Sequence, residues 1–227
     1  MKLGNGHDCS EDVTTLAEAS EKQTSFLDLF MSESTLKILA VIGSTNADSI
    51  TRVVVTAIAE DLIRMGCDVD LLDLGQEPLA LFNSETSSRQ PGFATLKARV
   101  DRADVFVLGT PDYHGSMSGA LKNFFDHFWH EFTGKLFATV VASHEKGLTV
   151  TDQLRTVARQ CYAWSLPYGV AFADKQHVAN GQIVNEAFKS RLGMFVRDTR
   201  VYGELLAAQR RADLAGTDPG FMARLRK

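Results

Sequence analysis

Five apolar runs, separated by segments with helical periodicity, most constrain the fold of this chain. The runs lie at residues 36–42, 69–74, 104–110, 136–142 and 169–173. They are nearly continuous rather than alternating, which is typical of strands buried on both faces of a parallel sheet. Apolar residues recur at helical spacing over residues 53–65, 93–102, 121–128, 149–163 and 185–212. Because crossover connections are right-handed, this order predicts an α/β fold with a doubly wound five-stranded parallel sheet in three α/β/α layers.

The chain divides into three parts by its sequence pattern. Residues 1–34 are rich in Ser, Thr and Glu and contain no strand-like run, so they predict a flexible extension or a short docked helix. They also lack the basic and apolar regions of a signal peptide. Residues 35–203 hold the whole alternating pattern, a length suited to one domain. Residues 204–227 predict the end of the last helix followed, after residue 212, by a mobile polar tail.

Composition excludes several classes of protein. A formal net charge of −4 predicts no nucleic-acid partner and no anionic membrane surface. Every apolar run is far shorter than the roughly 20 residues that cross a bilayer. Cys9, Cys67 and Cys161 lie far apart without a CxxC spacing, which argues against a disulfide framework or a zinc ribbon. The pattern favours reduced thiols in a cytoplasmic protein.

An unusual loop follows the third apolar run. Residues 111–118 combine Pro111, Tyr113, Gly115 and two serines before the next helical segment begins. Such a loop offers a flat ring, accessible backbone N–H groups and small hydroxyls at the carboxyl end of a parallel sheet. This combination suits a planar ligand with polar edges.

A second polar loop, residues 43–52, joins the first run to the first helix. It contains Ser44, Thr45, Asn46, Ser49 and Thr51. The free N–H groups and the positive dipole end of a helix favour a phosphate at such a junction. The loop matches neither the Walker A nor the GxGxxG pattern, so a triphosphate or pyrophosphate site is not expected. A tight turn capped by Asp48 or Ser49 is the alternative.

Together the two loops resemble those of the NADPH-dependent FMN reductase family, which has a flavodoxin-like fold. Residues 111–123 carry the whole of its motif P-x-Y-x-G-S-x-x-G-x-L-K-N. Gly43, Ser44 and Ser49 match its phosphate loop G-S-x-R-x-x-S, with Asn46 where the family has Arg. The resemblance spans roughly residues 36–200.

The resemblance implies FMN as cofactor and reduced nicotinamide, NADPH or NADH, as electron donor. It implies a flavin site formed by three loops. The phosphate is expected beside Ser44, Asn46, Ser49, Ile50 and Thr51. The isoalloxazine is expected along Pro111, Asp112, Tyr113, His114 and Gly115, and against a third loop made of Ser143, His144, Glu145, Lys146 and Gly147.

Two departures from the family bear on specificity: Asn46 replaces the arginine of the phosphate loop, and the run 144–146 (His-Glu-Lys) replaces a glycine-rich sequence in the third loop. Without an arginine at position 46 the phosphate loses a charge-assisted bond, which Arg52 replaces only if the helix begins early enough to direct it back. Lys146 is a candidate for stabilising charge on the reduced flavin, and N–H groups of the 111–115 loop are candidates for the same role.

The function implied is an FMN-dependent NAD(P)H oxidoreductase. Its acceptor is free flavin, a quinone, an azo or nitro compound or a metal oxyanion. Hydride transfer needs alignment more than acid–base groups, so no catalytic side chain is expected. A flavodoxin-like FMN electron carrier, or a redox sensor with little turnover, is the alternative. The resemblance also implies a homodimer or homotetramer.

One short helix end leaves two further alternatives open. His127 and His130 have a spacing that suits two metal ligands. The sequence shows no further ligand set beside them, so a solvated or interface helix end is favoured and no metal is expected. Phe128, Trp129 and Phe132 are expected in the core or at the subunit interface, as is the long helix from Asn185.

Overall fold

A computed structural model describes residues 35–226; the extension predicted for residues 1–34 lies outside them. All the long strands lie in one parallel sheet. These strands are β1 (Lys37–Ile42), β2 (Asp68–Asp73), β3 (Val105–Pro111) and β4 (Leu136–Ala142). Two short strands, β5 (Trp164–Ser165) and β6 (Val170–Phe172), both pair with β4 and share the fifth position. The strand order is β2-β1-β3-β4 followed by this fifth position, which confirms the predicted five-stranded sheet.

The fifth strand is broken in the middle. Trp164 pairs with Leu136, and Val170 pairs with Val140 on the same edge of β4. Pro167 lies between the two segments and has no N–H to donate to the ladder. The predicted strand at 169–173 is therefore only the second half of this edge.

Helices cover both faces of the sheet, as predicted. They are α1 (Ile50–Arg64), α2 (Phe93–Arg102), α3 (Gly119–Asp126), α4 (Leu148–Gln160) and α5 (Glu186–Ala215). On one face α1 and α5 pack against Ile38, Ala40 and Ile42. On the other face α2, α3 and α4 pack against Leu39 and Val41. Consecutive residues of β1 thus enter opposite cores, because side chains alternate along a strand.

Most of the aromatic residues after α3 belong to the core. Phe128 is 5% exposed and Phe132 is fully buried, where its ring meets Phe106 edge to face at a centroid distance of 5.0 Å. Only Trp129 of the three aromatic residues predicted here is exposed, at 54%. Two of the three are therefore core residues, and Trp129 alone is free to meet a second subunit.

The C-terminal segment differs from the predicted tail. Helix α5 continues to Ala215, and a 3₁₀ helix follows at Phe221–Leu225. Met222 is 1% exposed, and its sulfur lies against Gly134, where a Cβ atom would come within 2.8 Å of it. Met222 and the hydrogen bonds of Arg226 to the Asp213 and Asp218 carbonyls thus anchor the segment, and such single-residue contacts do not appear as periodicity in the sequence.

A small antiparallel hairpin follows the sheet and was not predicted. It pairs β7 (Val178–Ala179) with β8 (Gln182–Ile183). Asn180 and Gly181 form its turn with positive φ angles of 50° and 71°. An Asn-Gly pair favours this kind of turn, so the local signal was present, but each strand has only two residues.

Candidate functional site

A cleft of about 360 Å³ opens at the carboxyl ends of β1, β3 and β4. The three loops predicted to hold a flavin all contribute to it. From the first loop it is lined by Ser44, Asn46, Asp48, Ser49, Ile50 and Thr51. From the other elements it is lined by Pro111, Asp112, Tyr113, Ala142, Ser143, His144, Ala173 and Asp174.

The first loop passes very close to the neighbouring strand. The Gly43 N–H donates to the Gly109 carbonyl at 2.7 Å, and a Cβ atom on Gly43 would lie 2.5 Å from that oxygen. Only glycine fits such an approach. The Ser49 hydroxyl accepts from the Thr51 N–H at 3.1 Å, so Ser49 is the N-cap of α1, one of the two caps considered from the sequence.

The beginning of α1 presents polar groups that the protein itself does not satisfy. Among the hydrogen bonds within residues 35–226, none uses the N–H groups of Ser44, Thr45, Asn46, Ala47 and Ile50. The Thr51 side chain is fully buried, and its hydroxyl is the only buried side-chain polar atom of these residues without a partner. Buried polar groups normally have partners. Unused donors at a helix N-terminus fit a phosphate.

Arg52 does not replace the family's missing arginine at the cleft. Its guanidinium pairs with Asp73, with Nε 2.6 Å from Oδ2 and Nη2 3.0 Å from Oδ1. Its Nη1 donates to the Asn46 and Ala47 carbonyls. The Asn46 side-chain oxygen accepts from the Asp48 N–H at 3.0 Å, so it too is used inside the loop.

The carboxylate of Asp73 is held ionised by these contacts. Burial would raise its pKa, but the hydrogen bonds from Arg52 and from the Gly75 N–H outweigh burial and lower the pKa below its usual value. The hydrogen bonds that Arg52 donates to Asp73 raise the pKa of Arg52 in return. The pair is therefore charged at neutral pH.

The second loop is a tight turn. The N–H of Tyr113 donates to the Ser116 carbonyl at 2.9 Å, and the N–H of Ser116 donates back to Tyr113 at 3.1 Å. His114 and Gly115 form its tip, with φ angles of 58° and 78°. The turn carries both residues beyond the cleft lining, and their contact with the flavin stays a prediction.

The N–H groups of this turn are mostly engaged, contrary to their predicted role toward the flavin. Asp112 donates to the Ala142 carbonyl at 2.8 Å, and Gly115 donates to the Asp112 carboxylate at 2.8 Å. Gln153 of α4 holds the turn from outside, accepting from the Ser116 hydroxyl and donating to the Gly115 carbonyl. The loop thus contributes a rigid wall, and half-exposed Tyr113 is its aromatic face.

The third loop contributes only its first residues. The Ser143 hydroxyl donates to Asp112 Oδ2 at 2.9 Å and accepts from the Glu145 N–H, which joins the second loop to the third. Ser143 and His144 line the cleft, whereas Glu145, Lys146 and Gly147 do not. Gly147 precedes α4 with a φ of +60°. That Lys146 stabilises charge on the reduced flavin stays a prediction.

The cleft has an acidic lining. It includes the carboxylates of Asp48, Asp112 and Asp174, and no lysine or arginine is among the described residues that line it. Four lining residues were not predicted from the sequence: Asp48, Ala142, Ala173 and Asp174. Asp174 lies just after β6, at the carboxyl end of the fifth strand. That position in the sequence is the feature from which its place in the lining could have been predicted.

The histidines near α3 have ordinary partners. His127 Nδ1 lies 2.8 Å from the Asn123 carbonyl, and His130 stacks on Trp129 at a centroid distance of 4.2 Å. No group of three or more His, Cys, Asp or Glu side chains suited to a metal occurs in residues 35–226. Within the same residues, no helix has the length and apolarity to cross a bilayer.

The sheet order defines a class of protein. β1 lies second in the sheet, with β2 on one side and β3 on the other, so the chain adds strands in opposite directions from β1. The cleft lies where this order reverses, between β1 and β3. This is the flavodoxin-like arrangement, in which ligands bind at that point. The unused N–H groups at the start of α1 and the polar cleft beside them suit a mononucleotide.

Comparison with known proteins gives the family. Residues 36–178 match the model of the NADPH-dependent FMN reductase family. An NADPH azoreductase of Bacillus sp. (strain OY1-2) is 32% identical over 171 residues, which cover 74% of this chain and 92% of that protein. An FMN-dependent NADPH-azoreductase of Staphylococcus saprophyticus is 28% identical over 173 residues, which cover 71% of this chain and 92% of that protein.

Solved structures agree on the fold. The apo form of the NADH:FMN oxidoreductase EmoB superposes with a TM-score of 0.63 at 18% identity, over 74% of this chain and 90% of that chain. The NAD(P)H:(acceptor) oxidoreductase FerB of Paracoccus denitrificans superposes with a TM-score of 0.62 at 19% identity, over 75% of this chain and 98% of that one.

This chain belongs to the NADPH-dependent FMN reductase family, as its two loops predict. It is an oxidoreductase that uses FMN and a reduced nicotinamide.

Proposed function

We propose that this protein takes electrons from NADPH or NADH through FMN bound in the cleft and reduces small planar acceptors. Azo compounds and quinones are the acceptor classes we favour. The azo assignment is supported by the names of the two azoreductase relatives. The open cleft, with Tyr113 half-exposed at its edge, suits a flat molecule stacked on a flat cofactor.

The observation that carries the flavin site is the unpartnered Thr51 hydroxyl. It is fully buried at the first turn of α1 and belongs to the cleft lining. A phosphate at this position would accept from Thr51 and from the unused N–H groups of the loop, which removes the cost of a buried unsatisfied group. Ser44 and Ser49, both buried beside it, complete a seat of neutral donors.

The other two loops would hold the flavin ring. Pro111, Asp112 and Tyr113 form one wall, and Ser143 with His144 forms the second. Bound FMN supplies hydride acceptance from the nicotinamide and electron delivery to the acceptor. The residues of this chain orient the ring and exclude water from one of its faces, so no acid–base side chain is assigned.

Assembly and location belong to the same proposal. We propose a homodimer or homotetramer of a cytoplasmic enzyme, supported by the exposed Trp129, Trp164 and Phe221 on the described surface. Aromatic residues are enriched at protein interfaces. Light scattering of the purified full chain at micromolar concentration tests this, and a monomer would contradict it.

Anaerobic reduction tests the function. The purified chain is loaded with FMN and mixed with NADPH or NADH, and the visible absorbance of the flavin is followed. We expect bleaching by at least one nicotinamide, and recovery of the absorbance when an azo dye or a quinone is added. Failure to bind FMN, or FMN binding without oxidation of either nicotinamide, would contradict the proposal; the second result would favour an electron carrier or a redox sensor.

A further inference from the structure

Arg52 makes contacts in two directions, although it is one of the first residues of α1. On one side its Nε and Nη2 atoms bind both carboxylate oxygens of Asp73, at 2.6 and 3.0 Å. On the other side its Nη1 donates to the carbonyls of Asn46 and Ala47, at 2.6 and 2.5 Å. Four bonds therefore connect the first loop, through one side chain, to the end of β2.

These bonds determine which way the loop peptides face. The C=O and N–H of a planar peptide unit point in opposite directions. With its carbonyl turned to Arg52, the unit between Asn46 and Ala47 directs the Ala47 N–H away from the guanidinium. That N–H has no partner among the described residues. Without Arg52, the Ala47 carbonyl would lose its donor, and the Asn46 carbonyl would keep only the Ser49 N–H at 3.3 Å.

Asp73 holds the Arg52 guanidinium at the end of β2. It is 6% exposed, ends β2, and accepts a further bond from the Gly75 N–H at 2.9 Å. Gly75 leaves room for the guanidinium, since a Cβ atom there would lie 3.0 Å from Arg52 Nη2 and 3.1 Å from the Ser44 carbonyl. The end of β2, Arg52 and the first loop are thus closely packed around Gly75.

We propose that Arg52 is a positioning residue for the phosphate of FMN. Together with Asp73 it holds the first loop so that N–H groups and the Thr51 hydroxyl bind the phosphate, and it makes no ion pair with the phosphate itself. Arg52 thus acts on the phosphate through the loop backbone, from a partly buried position, and not by direct contact as the family arginine is expected to do. This inference rests on the proposed flavin site, because it takes FMN as the ligand.

The test compares FMN with riboflavin, which lacks the phosphate. Dissociation constants for both are measured by fluorescence titration of the full chain. For R52Q and D73N we expect FMN affinity to fall on the order of tenfold or more, because the displaced loop loses hydrogen bonds to the charged phosphate. Riboflavin affinity is expected to stay within about twofold of the original protein, since nothing in the clamp meets the ring.

A matched control is available at the other end of β2. Arg102 binds both oxygens of Asp68, at 2.8 and 3.1 Å, and so also links a helix to this strand. R102Q should leave both flavin affinities unchanged. The double variant R52Q/D73N should lose little more FMN affinity than either single variant, because the two residues act as one unit.

Stability is measured beside affinity so that unfolding is not mistaken for loss of the seat. R52K retains a charge for Asp73 but lacks the geometry for all four bonds, so weaker FMN binding with unchanged riboflavin binding is expected in a folded protein. Equal losses for FMN and riboflavin, or no loss of FMN affinity in folded R52K and D73N, would overturn the inference. Original protein that binds neither flavin would instead overturn the proposed function.

Discussion

Ser118 and Gly43 join the two main walls of the cleft through a single hydrogen bond. The Ser118 hydroxyl donates to the Gly43 carbonyl. As the N-cap of α3, the Ser118 hydroxyl oxygen also accepts from the Leu121 N–H at 3.1 Å. The loop after β1 is therefore held directly by the helix that follows the loop after β3. Ser118 is 4% exposed, so water does not replace either bond.

Substitution of Ser118 is expected to loosen both walls. S118A removes an N-cap and leaves a buried carbonyl unpaired, so we expect a loss of about 1–3 kcal/mol in the free energy of unfolding. FMN affinity should fall with it, because the spacing of the loops is no longer fixed. Urea unfolding and flavin titration measure the two effects. S190A, at an exposed position near the start of α5, is the control, and equal behaviour of the two variants would count against this role.

Substitution of Thr51 separates binding from stability. T51V removes a hydroxyl that has no partner in the protein, so the free energy of unfolding should stay the same or rise. FMN affinity should fall about tenfold through the loss of a bond to a charged group. T199V is the matched control, since Thr199 is equally buried and its hydroxyl donates to the Phe195 carbonyl at 2.7 Å. A T51V protein that is destabilised yet binds FMN normally would refute the assignment.

Asp48 is expected to oppose phosphate binding. Its carboxylate lines the cleft beside the seat, while Arg52 is paired with Asp73. Removing a like charge near the surface is worth about 1 kcal/mol, so D48N should bind FMN several-fold more tightly at low salt. The gain should shrink as salt is raised. D152N, at an exposed position of α4, should show no gain in FMN affinity. Tighter FMN binding in both variants would point to net charge as the cause.

The Asp73 carboxylate predicts a pH dependence of stability. Its pKa lies below the ordinary value of 3.8, so its stabilising contribution is fully present above that value and is lost as pH falls through the folded-state pKa. D73N should be less stable than the original protein at neutral pH, and the difference should narrow below about pH 4. Urea unfolding from pH 7 to pH 3 measures this. A difference that stays constant down to pH 3 would show that ionisation of Asp73 is not the cause.

The fold was predictable because its signal is repeated along the whole chain. Continuous apolar runs at β1, β3 and β4 and the periodicity of α1 and α5 each report burial on a defined face. Short-range features were harder: Pro167 divides the edge strand, and the C-terminal segment is anchored by the contacts of Met222 and Arg226. Single residues of this kind leave no pattern.

The site was predictable as loops but not as contacts. The motif residues Pro111, Asp112 and Tyr113 reach the cleft, whereas the turn at His114 and the α4 cap at Gly147 take their neighbours away from it. The bond between Arg52 and Asp73 joins residues 21 apart, and it depends on β1 and β2 being neighbours. Sequence spacing alone does not show such a pair. That the lining binds FMN stays a prediction.

A crystal structure of the FMN-bound protein tests the central claim most directly. We predict the phosphate within hydrogen-bond distance of the Thr51 hydroxyl and of loop N–H groups, with the guanidinium of Arg52 still on Asp73 and the carbonyls of Asn46 and Ala47. A phosphate bound elsewhere, or an Arg52 side chain turned onto the phosphate, would contradict the account.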